Sequence, residues 1–230
     1  MAMELGMVGP AQSEYLYHFT GRNGPRPHWV PEEIQSASPE ARLEAILQER
    51  KFRAFAPFGA ADPGESGMPC LCFSESPPEH LDHLIQWRRF DPWGVVTTRS
   101  MINRHGGGAV AYVPPDVHED FKKADLGHWA VRTEQRSTWL HEREWRLPIR
   151  KGGVGIQSLA AILVGNAEWR PEKVPVGWVD RSTGEPLPGP EANPYAEPVL
   201  DYPSLWRESP IWVWDKETRK LVKYDAGELC

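Results

Sequence analysis

The sequence predicts an α+β protein with a mostly antiparallel core. Short runs of β-favouring residues outnumber helical ones, and the helical periodicities cluster in the first half of the chain. No internal repeat interrupts that order.

Residues 1–13 read as a loose tail. Residues 15–20, Tyr-Leu-Tyr-His-Phe-Thr, are rich in aromatic and β-favouring types and predict a strand. Residues 21–31 hold three prolines and two glycines, so they predict a loop. Ser38-Pro39 opens a helix, serine capping and proline in the first turn, with Leu43, Ile46 and Leu47 as its apolar stripe. After a Gly/Pro-rich loop at 58–68, residues 69–74 predict a short buried strand. Residues 77–89 predict a helix, with Leu81, Leu84, Ile85 and Arg88 at helical spacing. A strand at 93–98, a helical turn at 100–103 closed by Gly106-Gly107-Gly108, a strand at 109–113 and a helix at 115–123 follow. Residues 139–149 predict one long strand, and 159–164 another, ended by Gly165-Asn166. Residues 180–203 carry six prolines and few aliphatic side chains, which predicts irregular chain. Residues 206–222 predict a terminal hairpin turning at 215–217.

A chain of 230 residues suits one domain. The expected boundaries are a tail at 1–14, a main domain at 15–170, and a Pro-rich extension at 171–230 packing on the same domain. The net charge of −6 argues against a protein that grips duplex nucleic acid with its whole surface, and leaves room for a local basic groove. Cys70 and Cys72, two apart in an apolar run, are too few for a zinc site and read as buried strand cysteines, so no metal is expected. Their use fits a reducing cytoplasm. No basic segment followed by a long apolar run opens the chain, and its longest apolar stretch is far too short for a bilayer, so neither a signal peptide nor membrane association is expected.

The chemistry concentrates in His141-Glu142-Arg143-Glu144-Trp145-Arg146. On a strand, Glu142, Glu144 and Arg146 share one face. Two carboxylates a step apart raise the proton affinity of at least one unless a cation sits nearby, and Arg146 is such a cation. One carboxylate could stabilise a cationic sugar while the other activates a nucleophile. The plain alternative is a solvated strand of alternating charge pairs. His18, between Tyr17 and Phe19, shares a face with Thr20; it reads as a satisfied core or edge histidine or as part of a small polar cluster. Ser74-Glu75-Ser76 leaves a buried strand, where hydroxyls cap the next helix or hold a ligand. The triple glycine lacks the spacing of a phosphate loop and reads as a turn.

Taken together, these segments resemble DarT-type ADP-ribosyltransferases and AbiGi-like phage-resistance proteins. The resemblance rests on the Tyr-His-Phe-Thr strand, the helix ending Ala45-Ile46-Leu47-Gln48-Glu49, and Leu71-Cys72-Phe73-Ser74-Glu75-Ser76-Pro77. It continues through Pro92-Trp93-Gly94-Val95, Ala109-Val110-Ala111-Tyr112-Val113 and, most specifically, the Glu-Trp-Arg block, so it spans about residues 15–170. It implies an ADP-ribosyltransferase-like split antiparallel sheet with a few helices, and NAD⁺ in its cleft. Residue by residue, it implies that His18 orients the nicotinamide ribose and Ser74 supports it. Glu144, with Glu142 beside it, would then stabilise the oxocarbenium-like transition state, and Thr20, Tyr112 and Arg146 would complete the NAD⁺ site. The family's arginine has three candidates, Arg22, Arg50 and Arg53.

The implied activity is NAD⁺-dependent ADP-ribosyl transfer of bacterial toxin or anti-phage defence type, with a cognate antitoxin as a partner. An NAD⁺ glycohydrolase and a catalytically silent antitoxin or binding module are the alternatives. The acceptor reading favours nucleic acid over protein. Arg99, Arg104, Arg132, Arg136, Arg143, Arg146 and Arg150 border the expected cleft without a lysine, and Trp129, Trp139 and Trp145 offer stacking platforms. Arg132 and Arg136 are the expected nucleic-acid contacts. Pairing of these arginines with Glu134, Glu142, Glu144 and the NAD⁺ pyrophosphate is the alternative.

Overall fold

The computed structural model describes residues 12–22, 28–57, 68–87, 90–135, 139–149 and 153–230. In chain order they form β1 (Tyr15–Phe19), α1 (Glu32–Ser36), α2 (Pro39–Glu49), β2 (Lys51–Arg53), β3 (Cys70–Glu75) and β4 (Gly94–Thr98). Next come α3 (Arg99–Arg104), β5 (Gly108–Ala109), β6 (Ala111–Val113), α4 (Pro115–Lys123), β7 (Ala130–Arg132), β8 (Glu144–Pro148), β9 (Gly153–Gly155) and β10 (Ala161–Val164). The chain ends with β11 (Val174–Asp180), β12 (Pro186–Leu187), β13 (Ala196–Asp201), α5 (Ser204–Glu208), β14 (Ile211–Asp215) and β15 (Lys220–Tyr224).

The fold is α+β, with few helices around an eight-stranded sheet of order β15-β14-β10-β4-β1-β3-β8-β5. Its strands pair antiparallel except β10 with β14, which run parallel. Alternation along the strands splits the core in two. Leu16, Phe73, Val95, Trp145 and Ile162 point to one face, where Leu43 and Leu47 of α2 and Phe52 of β2 cover them. Each of those leucines is fully buried and contributes about 1.5–3 kcal/mol. Tyr17, Val96, Leu163, Trp212 and Trp214 point to the other face and pack with Leu81 and Leu84.

The cap at Ser38 forms as the sequence predicts: its hydroxyl accepts the Ala41 N–H, with Pro39 in the first turn. Gly94 is required by close approach, since a Cβ there would lie 2.2 Å from the His18 carbonyl oxygen. The 109–113 run divides between two sheets, β5 joining β8 and β6 pairing with β7. The expected helix at 77–89 is a 3₁₀ turn, Pro78–His80, followed by a π turn, His83–Trp87. Residues 180–203 are not irregular, because β11, β12 and β13 form a three-stranded sheet of their own. The expected tail at 1–13 and the loop at 58–68 fall largely outside the described residues. No helix among the described residues is long and apolar enough to cross a membrane.

Candidate functional site

The expected strand over 139–149 is two elements. Residues 139–142 form a 3₁₀ turn, and β8 begins only at Glu144. Arg143 between them has a left-handed backbone, φ 40°. Non-glycine residues adopt that conformation rarely and at a cost. Glu142 and Glu144 therefore do not share a strand face. Both lie within electrostatic reach of the Tyr112 hydroxyl.

Glu144 is anchored from the inside. Its Oε1 accepts from Arg146 Nε at 2.8 Å and its Oε2 from Arg146 Nη2 at 3.2 Å. Arg146 is only 2% exposed, and its Nη1 donates to the carbonyls of His128 and Ala130 at 2.8 and 3.3 Å. Burial alone would lower the Arg146 pKa; the Glu144 carboxylate and Cys72 more than offset it and hold it above its ordinary value. Burial, and then the neighbouring Glu144 carboxylate, push the Cys72 pKa well up, so it stays a thiol. Arg146 thus ties β8 to the Gly127–Trp129 turn and β7, and it is engaged by the protein rather than turned toward a ligand.

Tyr112 reaches the same place from β6. Its hydroxyl oxygen accepts the Glu144 backbone N–H at 2.7 Å. Burial, foremost, pushes its pKa up to about 12, so it keeps its proton. Glu142 sits beside it, with Oε1 3.2 Å from Arg22 Nη2. The Arg22 side chain is 38% exposed and lies over the Phe90 ring at 5.1 Å. The neighbouring His141 ring contacts His83 edge-on at 4.8 Å. Ser74 stands directly opposite Glu144 in the β3–β8 register, and its hydroxyl makes no hydrogen bond among the described residues.

His18 and Thr20 do not join this cluster. Residues opposite one another on paired strands share a face. Tyr17 lies opposite Ser74, and Ser74 opposite Glu144, so His18, one step along from Tyr17, points to the other side of the sheet. There its ring packs against Phe52 and Phe73, and Nδ1 meets the Cys72 carbonyl at 2.9 Å. Thr20 is buried, its hydroxyl shared between the carbonyls of Pro39 and Trp93. The expected convergence of His18, Ser74 and Glu144 on one cleft is corrected on this point by strand alternation itself.

Of the two expected nucleic-acid contacts, Arg132 is among the described residues. Arg132 pairs with Glu134 at the surface, 3.3 Å away, while Arg136 and Arg150 lie outside the described residues. Arg99 is buried, its guanidinium 5.4 Å above the buried Trp145 ring. Trp145 is therefore a core side chain and not a stacking platform.

Two residues at this site were not singled out by the sequence, and a third lies on the opposite face. Arg22 was one of three arginine candidates with nothing to single it out, and His83 lay within an expected helix. Glu75 is a buried carboxylate on the His18 side of the sheet. It accepts from the Ser13 backbone N–H at 3.0 Å and from Trp145 Nε1 at 2.8 Å. Strand alternation did carry that signal, since it sets Glu75 opposite in direction to Ser74.

Among the described residues, buried Ser74 thus stands opposite Glu144, with the half-buried Tyr112 phenol bonded at the Glu144 backbone and the buried Glu142 carboxylate near that phenol, a set of groups suited to binding a polar substrate and moving a proton. No family model, curated protein or solved structure matches this chain.

Proposed function

We propose that this chain cleaves the nicotinamide–ribose bond of NAD⁺ and passes the ADP-ribose to a macromolecular acceptor, as in toxins and anti-phage defence enzymes of the ADP-ribosyltransferase kind. The observation that carries the reading is the pair Glu142 and Glu144, each held by an arginine and both flanking Tyr112. Breaking that bond releases a neutral base and builds positive charge on the sugar. Fixed carboxylates in a largely desolvated setting are suited to stabilise that charge, and a proton acceptor is needed for the incoming nucleophile.

The sheet lends support. β1 and β3 pair over two residues only, Leu16 with Glu75 and Tyr17 with Ser74, and the His18 side chain then takes the Cys72 carbonyl. That divergence is compatible with the split sheet of such enzymes. In this reading Ser74 and Tyr112 contact the substrate, Arg22 meets its charged groups, and Arg146 serves only to hold Glu144. Nucleic acid remains the proposed acceptor class, with Arg132 and Arg136 as its contacts.

The test is incubation of the purified chain with NAD⁺ labelled in its adenylate, with DNA, RNA and protein offered together. Label on a macromolecule with release of nicotinamide supports transfer, and free ADP-ribose supports hydrolysis. NAD⁺ left intact at stoichiometric protein would reject the enzyme reading in favour of a binding module.

A further inference from the structure

We propose that Arg99 is the centre of a second ligand site, on the opposite face of the sheet from Glu144, and that it takes a small monocarboxylate. Such a site is independent of the NAD⁺ reading and lies outside the cluster around Glu144.

Thr98 is still extended, so strand alternation carries from buried Val95 through Thr97 to residue 99 and aims that side chain at the apolar face of the sheet. A guanidinium placed there brings five N–H donors and a permanent charge. The protein satisfies such groups elsewhere. Buried Arg146 meets the Glu144 carboxylate and two backbone carbonyls. Half-buried Arg42 donates to the carbonyls of Thr20, Ile34 and Gln35. Arg99 is 8% exposed, and its Nε is buried without a hydrogen-bond partner. No hydrogen bond or ion pair engages its guanidinium among the described residues. Its one contact of this kind is the Trp145 ring, whose centroid lies 5.4 Å from Cζ. An aromatic face attracts a cation but leaves the in-plane N–H groups without acceptors. A buried charge in that state is costly, and an anion arriving in the guanidinium plane relieves it.

The surroundings narrow the class of that anion. Glu75, opposite Leu16, and Trp145, opposite Phe73, stand on the same face. Glu75 is buried, and its two oxygens are taken by the Ser13 N–H at 3.0 Å and by Trp145 Nε1 at 2.8 Å. One indole thus carries the cation on its face and the carboxylate at its edge, without an ion pair between them among the described residues. Their charges sum to zero. A singly charged ligand on Arg99 adds one negative charge; a doubly charged phosphate adds two beside Glu75, where screening is weak. A flat carboxylate also matches the guanidinium fork. The ligand is small, because little of Arg99 reaches the surface. It need not cross the core, because the next residue, Ser100, is exposed and its hydroxyl donates to exposed Glu14 at 3.1 Å.

The experiment takes the full chain at about pH 8, where phosphate is doubly charged, and replaces sodium chloride by sodium acetate or sodium phosphate at constant ionic strength. Thermal unfolding is the first readout. Expected for wild type is a Tm that climbs by about 3–5 °C for each tenfold rise in acetate above the binding midpoint, and a smaller climb in phosphate. R99M removes the charge and keeps a long side chain. It should be at least as stable as wild type in chloride and should not respond to acetate. The second readout is ¹⁵N NMR of the arginine side chains. The Nε–H signal missing from R99K is that of Arg99, and acetate should shift it in wild type. Acetate that moves neither Tm nor that signal overturns the site, and so does an R99M chain that responds as wild type does. An R99M chain that unfolds several degrees below wild type in chloride also overturns it, because the protein would then already satisfy the guanidinium. A larger response to phosphate than to acetate overturns the carboxylate class.

Discussion

A single backbone angle decides what the two glutamates can do. Had Arg143 stayed extended, Glu142 and Glu144 would project from one strand face about two residues apart, and Arg146 could have served both. Its φ of 40° instead turns Glu142 out toward Arg22 and leaves Glu144 to Arg146. The conformation also closes two backbone hydrogen bonds, Arg143 N–H to the Leu140 carbonyl and Glu75 N–H to the Arg143 carbonyl, both at 3.3 Å. The side chain at 143 should therefore matter chiefly through its backbone. Arg143→Gly should keep stability within about 0.5 kcal/mol, because glycine adopts positive φ freely. Arg143→Val should lose about 1–2 kcal/mol, because branching at Cβ clashes in that region. Urea unfolding of the two variants checks this; equal losses would mean that the arginine side chain, and not the backbone angle, holds the kink.

At the scale of elements, α4 and the Gly127–Trp129 turn bring two buried histidines, His118 and His128, next to the β8 strut. Burial holds both imidazoles below their ordinary 6.5. The native state thus resists a proton that the unfolded chain takes up readily. Stability from this source is complete above pH 6.5 and falls as pH drops toward the lowered native values. Tm should be flat from pH 7 to 8 and decline between pH 6.5 and 5, and the double variant with His118 and His128 replaced by Gln should show a shallower decline. A decline of the same slope in the double variant would place the effect on carboxylates instead. The sequence makes some of these elements plain and hides others, for physical reasons. The helix at Pro39 is legible because its cap, its first-turn proline and its Leu43–Leu47 spacing all agree. Cys70–Glu75 is legible as a compact apolar run. The break before β8 is not, because an alternating Glu-Arg-Glu pattern reads as a strand whether or not one residue turns left-handed. β12 and β13 are hidden by Pro186 and Pro198. Both strands are edges of their small sheet, where a missing N–H is tolerated. Pro175 sits where the β11–β13 register shifts. For the site, the block carrying Glu142, Glu144 and Arg146 is legible from composition, while the partner Arg22 is not, because the chain brings it in from a loop 120 residues away.

For the whole molecule, the notable departure is the arm formed by β11, β12 and β13. It leaves the sheet after β10 and returns through α5 to β14, which lies parallel beside β10. Val176, Tyr195, Val199 and Leu200 are exposed on it, whereas Leu205 and Trp206 at its return are fully buried. Val174 and Asp201 are directly paired, so the arm begins and ends at one point. Residues facing each other across antiparallel strands lie about 4.5–5.5 Å apart at Cα, a gap that a two-residue turn closes. Replacing residues 175–200 with Asn-Gly should therefore give a folded protein with Tm within about 2–4 °C of wild type, measured by calorimetry. An insoluble or unfolded product would mean that the arm packs on the sheet.

Because both ends of the arm meet, it acts as a leash. The piece that follows it, with Trp206 and the β14–β15 hairpin, is seated by strand pairing, burial and ring contacts such as Trp169 against Trp206. The intact chain keeps that piece at an effective concentration on the order of millimolar. Cut at the Thr183–Gly184 turn, the same two pieces would have to find each other by diffusion, and what is now a unimolecular folding equilibrium would become a dose-dependent reassembly of two fragments.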